Sequence, residues 1–373
     1  MKILQVVSLL GTGGVERQVM YLADGMIQQG HDVRIMVLRG PSTNTVFKTR
    51  ARIHLLGMTK SPWGILSAAW RARRIIREFQ PDVVHSHMFH AIIFTRLLRP
   101  IAPMPYLVCT PHQALTILNQ QEGSKKYTFA YRLTDPLADL MTNVGEEATQ
   151  TFLTAGAVRP GRIRTIHNGY ETERFRPNPE ARTRLRKELG LTDHAFMWLA
   201  VGRLCDQKDY PNMIAAFARV TALCSNTILY IAGDGPLENE CREIITSMHL
   251  GEAVRLLGVR SDIPELMAAA DGYVLSSAWE ALPMVVGEAM ASGLPVVATG
   301  CSGVQELLGE SSLLVPPKDP DALAEAMMKV INLPQDRRHA IGGANRERLC
   351  KQFSLEGKCS EWISLYEERV GKE

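Results

Sequence analysis

Short runs of consecutive apolar residues alternate along this chain with longer segments in which apolar positions recur every three or four residues. Residues 2–9 form the first such run and predict a buried strand. After a glycine-rich turn at 11–14, Val19, Leu22, Ala23 and Met26 fall on one face of a predicted helix. Gly30 stops that helix before a second strand over 33–38. Residues 65–79 read as another helix, this one strongly basic, while 82–85 and 106–110 read as strand ends. Apolar strands separated by amphipathic helices mark a parallel sheet, because each crossover lays a helix over one of its faces.

The alternation thins into a polar, proline-containing segment over 170–179 and then restarts. Strands are predicted at 197–201, 227–232, 254–257, 272–275 and 295–298, each trailed by a helical pattern. The fold class is therefore α/β, with two doubly wound Rossmann-like domains over 1–175 and 176–354. A ligand cleft is expected between the carboxyl ends of their sheets. A last helical pattern with Trp362, Leu365 and Tyr366 follows from 355. At 373 residues the chain is too long for one ordinary core and suits two. No fixed-period repeat or low-complexity tract interrupts it.

Charge adds an asymmetry that the net value of +3 hides. Residues 1–180 carry 22 Lys and Arg against 13 Asp and Glu, whereas 181–373 carry 20 against 26. Most of the first-half cations are Arg, the better partner for phosphate, so this half is expected to meet an anionic ligand or surface. No apolar stretch reaches the ~18–20 residues of a membrane span; the best, 90–109, is broken by Arg96, Arg99 and prolines. The opening residues read as a strand and not as a secretory signal, which leads to an expected cytoplasmic location. Seven scattered cysteines without a CxxC pair argue against a disulfide framework or a structural zinc site.

Several residues can carry chemistry. Gly11, Gly13 and Gly14 lie between the first strand and first helix, where backbone amides can cradle an anion. A dinucleotide fingerprint would place a third glycine at Glu16 and an acidic residue where Arg39 stands, so nicotinamide binding is disfavoured. His85, His87 and His90 have a spacing compatible with metal, yet no carboxylate completes a set, and strand-end histidines often satisfy backbone groups. His112 ends the next strand, as a hydrogen-bonding or catalytic group. Arg203 and Lys208 flank a polar loop and can converge on one diphosphate, or stand as ordinary surface cations.

The most specific stretch runs from Ser276 to Gly293. A strand enters a Ser/Trp turn holding Glu280, and a helix from about Met284 carries Glu288 eight positions later. Amides in such a loop can bind phosphate, and two carboxylates can accept hydrogen bonds from vicinal sugar hydroxyls. A carboxylate in an otherwise apolar helix needs partners, since unpaired burial of a polar group costs roughly 2–7 kcal/mol. Together with the two cations, these residues suggest a nucleotide-sugar site.

The Glu280-x7-Glu288 element, the Gly202-Arg203…Lys208 loop and the Gly13-Gly14-Val15-Glu16 turn resemble the retaining GT-B glycosyltransferases of family 4, over nearly the whole chain. Asn168-Gly169 followed by Glu173-Arg174-Phe175 resembles that family's interdomain stretch. The resemblance implies a GT-B fold, with an acceptor-binding domain over 1–175 onto which the C-terminal helix 355–373 crosses back, and a donor-binding domain over 176–354. It implies that Arg203 and Lys208 bind the donor diphosphate, Glu288 the ribose and Glu280 the transferred sugar. Amides around Leu282, Pro283, Met284 and Val285 would surround the phosphates, and Val259 and Arg260 would read the base. Gly13 and Gly14 would touch the diphosphate, with His112 beside the sugar. No metal or other cofactor is implied. Two departures stand out: Ala281 replaces the usual glycine, a change that matters if φ there must be positive, and Tyr170-Glu171 replaces Val-Asp.

By the same resemblance, the chain is expected to transfer a hexose or N-acetylhexosamine from a donor that family frequency makes UDP-linked to a glycan or lipid-diphosphate acceptor in lipopolysaccharide, O-antigen, capsule or exopolysaccharide synthesis. The anomeric configuration would be retained through front-face attack, with the leaving diphosphate taking the acceptor proton. Arg71, Arg73, Arg74 and Arg77, with Trp63, Trp70 and Phe79, resemble an amphipathic basic helix that rests on the inner face of the plasma membrane. Nucleic acid is not an expected partner. Other readings are a nucleotide-sugar 2-epimerase of the same architecture, a phosphorylase, or a catalytically silent nucleotide-sugar-binding partner.

Overall fold

A computed structural model describes residues 1–11, 13–40, 49–121, 125–192, 194–311 and 313–370. The chain divides into two compact units: Met1–Gly169 with Leu355–Glu373, and Tyr170–Ser354.

The first unit is built on a seven-stranded parallel sheet: β1 (Lys2–Val7), β2 (Asp32–Val37), β3 (Arg52–Leu55), β4 (Val83–His87), β5 (Tyr106–Thr110), β6 (Leu140–Asn143) and β7 (Ile163–Thr165). Their spatial order is 3-2-1-4-5-6-7, so the chain reverses direction across the sheet between β1 and β4. In a doubly wound sheet the carboxyl ends at that reversal form the natural ligand crevice. Leu4 and Val6 face one apolar layer with Val84, Leu107 and Met141, while Ile3 and Val7 face the other with Val83, Val108 and Leu140. Layers on both faces explain why these strands read as continuous apolar runs.

The second layer is closed by two helices, Gly14–Gln28 and Leu355–Val370. The latter lies far away in sequence but packs here through Cys359, Trp362, Ile363, Leu365 and Tyr366. A Cβ at Gly25 would stand 2.5 Å from the Cys359 sulfur, so the absence of a side chain at 25 lets these helices meet. The expected helix to 373 is described as far as Val370, and 371–373 lie outside the described residues.

The second unit repeats the plan with six parallel strands: β8 (Phe196–Val201), β9 (Thr227–Ala232), β10 (Val254–Gly258), β11 (Gly272–Leu275), β12 (Val296–Thr299) and β13 (Leu314–Val315). The order 10-9-8-11-12-13 puts its reversal between β8 and β11.

The unit starts earlier than the expected boundary at 175/176. Tyr170 and Phe175 are isolated apolar rings in a polar segment, yet both are buried. The Tyr170 amide donates to the Phe353 carbonyl at 2.9 Å, and its ring lies against Gly287. Long-range packing, not local polarity, therefore assigns 170–175 to this unit.

Candidate active site

In the first unit Gly13 caps the helix Gly14–Gln28 with extended backbone. A Cβ added at Gly13 would stand 2.3 Å from Glu16 Oε2, so the Glu16 carboxylate folds back over the helix N-terminus. Burial raises the Glu16 carboxyl above its ordinary value, opposed by a hydrogen bond from its own amide. The Glu16 carboxyl thus lies beside the turn expected to cradle an anion. Gly14 is exposed in the first turn, and Thr12 of the same turn lies outside the described residues.

The histidines at the ends of β4 and β5 form a buried polar file. The register aligns Gln5 with His85 and Val7 with His87. His85 Nδ1 lies 2.7 Å from the Tyr366 hydroxyl, and its Nε2 lies 2.7 Å from Thr110 Oγ1, which continues to Thr142. His87 Nε2 lies 2.5 Å from Gln5 Oε1, and its Nδ1 lies 2.9 Å from His112 Nε2. Burial keeps all three rings neutral: it holds His85 and His87 well below the ordinary histidine value and lowers His112 to about 3. His112 also sits at φ 65°, a left-handed conformation that non-glycine residues adopt at a cost. Among the described residues no group of three or more His, Cys, Asp or Glu is placed to hold a metal ion.

In the second unit two loops are stitched together at the carboxyl edges of β8 and β11. Ser276 Oγ donates to the Lys208 and Asp209 carbonyls at 2.7 and 2.9 Å, and the Ala278 amide donates to the Gln207 carbonyl. This brings Lys208 Nζ to 2.6 Å from Glu280 Oε1, with side-chain exposures of 14% and 7%. Glu280 also accepts from Ser277 Oγ at 2.8 Å and Gln207 Nε2 at 3.2 Å.

Lys208 is thus ion-paired with Glu280, whereas Arg203 on the same loop is exposed.

Glu288 lies at the centre of the helix Met284–Ala291, 1% exposed. Its carboxylate and that of Glu280 both raise the already buried Tyr170 phenol, so the three side chains share one electrostatic neighbourhood. Tyr170 was assigned no part by sequence. The signal that could have found it is Gly287, where a Cβ would come within 2.1 Å of the Tyr170 ring.

Leu282 precedes Pro283, which caps that helix in extended conformation, and the first turn at Met284 and Val285 has amides without intrahelical acceptors. Ala281 is not among the residues with positive φ, so the replacement of glycine there carries no backbone strain. Val259 is 61% exposed, whereas the Arg260 guanidinium is held in a fork by Asp262 at 2.5 and 2.8 Å. The Nη1 end of the guanidinium and the backbone at 260 take no part in that fork.

The basic helix runs over Pro62–Phe79. Trp63, Leu66 and Trp70 are 81%, 60% and 64% exposed and fall at helical spacing on one face with Arg74 and Arg77. Arg74 pairs with Glu78, Arg71 bonds Ser67, and Arg73 is half-buried. Phe79 departs from the expectation: it is core, with the Arg34 guanidinium 4.0 Å over its ring. No helix of the described residues is long and apolar enough to cross a membrane.

Family models match both units. The model for Glycosyltransferase Family 4 matches residues 12–174, and that for Glycosyl transferases group 1 matches 181–348. The chain is a family 4 glycosyltransferase. Its fold is GT-B, shared with Anabaena HepE solved in complex with UDP and glucose, at a TM-score of 0.87 and 22% identity over 99% of this chain and all of that one. Among curated relatives, the glycosyltransferase is 28% identical to an Escherichia coli UDP-Gal:alpha-D-GlcNAc-diphosphoundecaprenol alpha-1,3-galactosyltransferase, over 80% of this chain and 78% of the relative. It is 25% identical to the lipopolysaccharide core biosynthesis glycosyltransferase LpsD of Rhizobium meliloti, over 96% of both chains.

Proposed function

We propose that this glycosyltransferase moves a hexose or N-acetylhexosamine from a UDP-sugar to a glycan or lipid-diphosphate acceptor in surface polysaccharide synthesis, with retention. The observation that carries the reading is the buried Lys208–Glu280 pair beside Glu288 and Tyr170. Burying charge costs several kcal/mol per ion before pairing, and apolar residues would fill the same space at less cost. A sugar-nucleotide gives these groups a purpose. Lys208 and Arg203 offset the charge of the leaving diphosphate, and Glu280 and Glu288 accept from sugar and ribose hydroxyls. Amides on either side of Pro283, at Leu282, Met284 and Val285, meet the phosphates, and the backbone at Val259 and Arg260 meets the base. Gly13 and Gly14 bear on the diphosphate and His112 on the transferred sugar.

In this proposal the cations and amides stabilise the leaving group, so turnover needs no metal and survives chelation. The names of the Escherichia coli and Rhizobium relatives support the acceptor class, and the complex of HepE with UDP supports the base. The exposed Trp63, Leu66, Trp70, Arg74 and Arg77 face supports peripheral attachment to an anionic membrane, at its cytoplasmic side in the proposed pathway.

The test is thermal stabilisation by UDP, GDP, ADP and their sugar conjugates, repeated with Arg203→Ala. A shift with uridine ligands that is lost in the variant is expected. No shift with any nucleotide would overturn the donor site and favour a silent partner, and product analysis with an acceptor separates transfer from 2-epimerisation.

A further inference from the structure

The polar file under β1, β4 and β5 has a direction. Gln5 and His87 are fully buried, and both hydrogen bonds that define the file lie inside the first unit. The Gln5 amide oxygen accepts only, so the proton between Gln5 Oε1 and His87 Nε2 belongs to His87. A neutral imidazole carries one N–H, which leaves His87 Nδ1 an acceptor. The hydrogen bond from His87 Nδ1 to His112 Nε2 then requires the proton on His112. Among the described residues His112 Nδ1 has no hydrogen-bond partner.

The nitrogen at the far end of the Gln5 amide is buried beside the Tyr366 phenol without a hydrogen-bond partner. Tyr366 in turn can donate to His85 Nδ1, leaving His85 Nε2–H for Thr110. The hydrogen bonds Gln5–His87, His87–His112, Tyr366–His85 and His85–Thr110 then each have one donor and one acceptor.

We infer that Gln5, acting through His87, sets His112 in its Nε2–H tautomer and so leaves Nδ1 an obligate hydrogen-bond acceptor for a substrate hydroxyl. Gln5 and His87 are positioning residues, and the inference rests on the proposed place of His112 beside the transferred sugar. The opposite tautomer would present N–H where a hydroxyl must donate. Fixing a ring tautomer through a second group is a known determinant of rate in enzymes that use histidine.

The test begins with ring-nitrogen NMR of the full chain labelled at histidine. Wild type is expected to show His112 protonated at Nε2 only, and Gln5→Met, which removes the acceptor while keeping the shape, to show a mixture of tautomers. In parallel, His87→Leu removes the acceptor at the Nδ1 place and His87→Asn retains one. The expected kinetic result is a fall in kcat of roughly 10–100-fold for His87→Leu, the range for residues that orient a working histidine, with substantial recovery in His87→Asn and little change in donor KM. Circular dichroism and melting temperature check that each variant is folded. A wild-type His112 protonated at Nδ1, or a ring pattern unchanged in Gln5→Met, overturns the inference whatever the rates. If the NMR result holds but His112→Ala turns over at the wild-type rate, the tautomer control stands and the proposed role of His112 falls.

Discussion

Lys208 Nζ and Glu280 Oε1 lie 2.6 Å apart, although the two residues are separated by 72 positions and come from different loops. Because both side chains are largely buried, removing either leaves a charge without its partner. Lys208→Ala is expected to lower stability by about 3–5 kcal/mol and turnover by roughly 10²-fold or more. Adding Glu280→Ala should restore part of the stability and none of the turnover. Denaturant unfolding and product formation on the two single variants and the double variant measure both effects. Additive stability losses would show that the pair is not coupled.

Exposed Arg203 offers a contrast. It makes no ion pair in the described structure, so Arg203→Ala should leave the melting temperature almost unchanged and still cut turnover by roughly 10²-fold. A near wild-type rate would remove Arg203 from the site.

Gly287 and Tyr170 make a packing test. A methyl at 287 would overlap the Tyr170 ring, and overpacking of this kind costs typically about 1–3 kcal/mol. Gly287→Ala should therefore destabilise the second unit, and Tyr170→Ala in the same chain should relieve part of the loss. Urea midpoints of the single and double variants decide it.

The buried histidines give a pH dependence with a definite sign. Folded His85, His87 and His112 have values lowered below the unfolded value of about 6.5, so the unfolded chain binds more protons as pH falls. Their contribution is fully present above pH ~6.5 and is lost as pH falls from there toward about 3 in the case of His112. Each such ring should add a slope of up to about 1.4 kcal/mol per pH unit in that window. Unfolding free energies at pH 7.5, 6.0 and 5.0 should fall less steeply in His112→Gln than in wild type; equal slopes would contradict the assignment.

Membrane attachment separates into charge and insertion. Replacing Arg71, Arg73, Arg74 and Arg77 with Gln should abolish co-sedimentation with anionic vesicles at low salt, since the attraction is electrostatic. Trp63→Ala with Trp70→Ala should weaken binding at both low and high salt, because the buried apolar area is lost instead. Unchanged sedimentation of the four-residue variant would end the membrane reading.

Much of the architecture was legible because it is written in local periodicity. The helix expected over 65–79 forms over Pro62–Phe79, and the helix expected from about Met284 begins there. Phe79 shows a misreading that spacing could have prevented. It follows Trp70 by nine residues, two and a half turns at about 3.6 residues each, which puts it on the opposite face. Tyr170 and Phe175 were not legible in this way, since single apolar residues in a polar segment have no period to reveal their burial.

The short strands β3, β6, β7 and β13 are not legible in the chain, whereas strands β1, β2, β4, β5 and β8 to β12, the two-unit plan and the placing of charged and imidazole groups after strand ends are written in it. These depend on backbone periodicity and on residue chemistry within a few turns of chain. Which groups meet was decided only by tertiary structure. His85 meets Tyr366 across 281 positions because the last helix packs on the first sheet, and Gln5 meets His87 because β1 and β4 are neighbours at the reversal. Lys208 meets Glu280 for the same reason: strand order and loop clamps set distances that spacing along the chain does not contain.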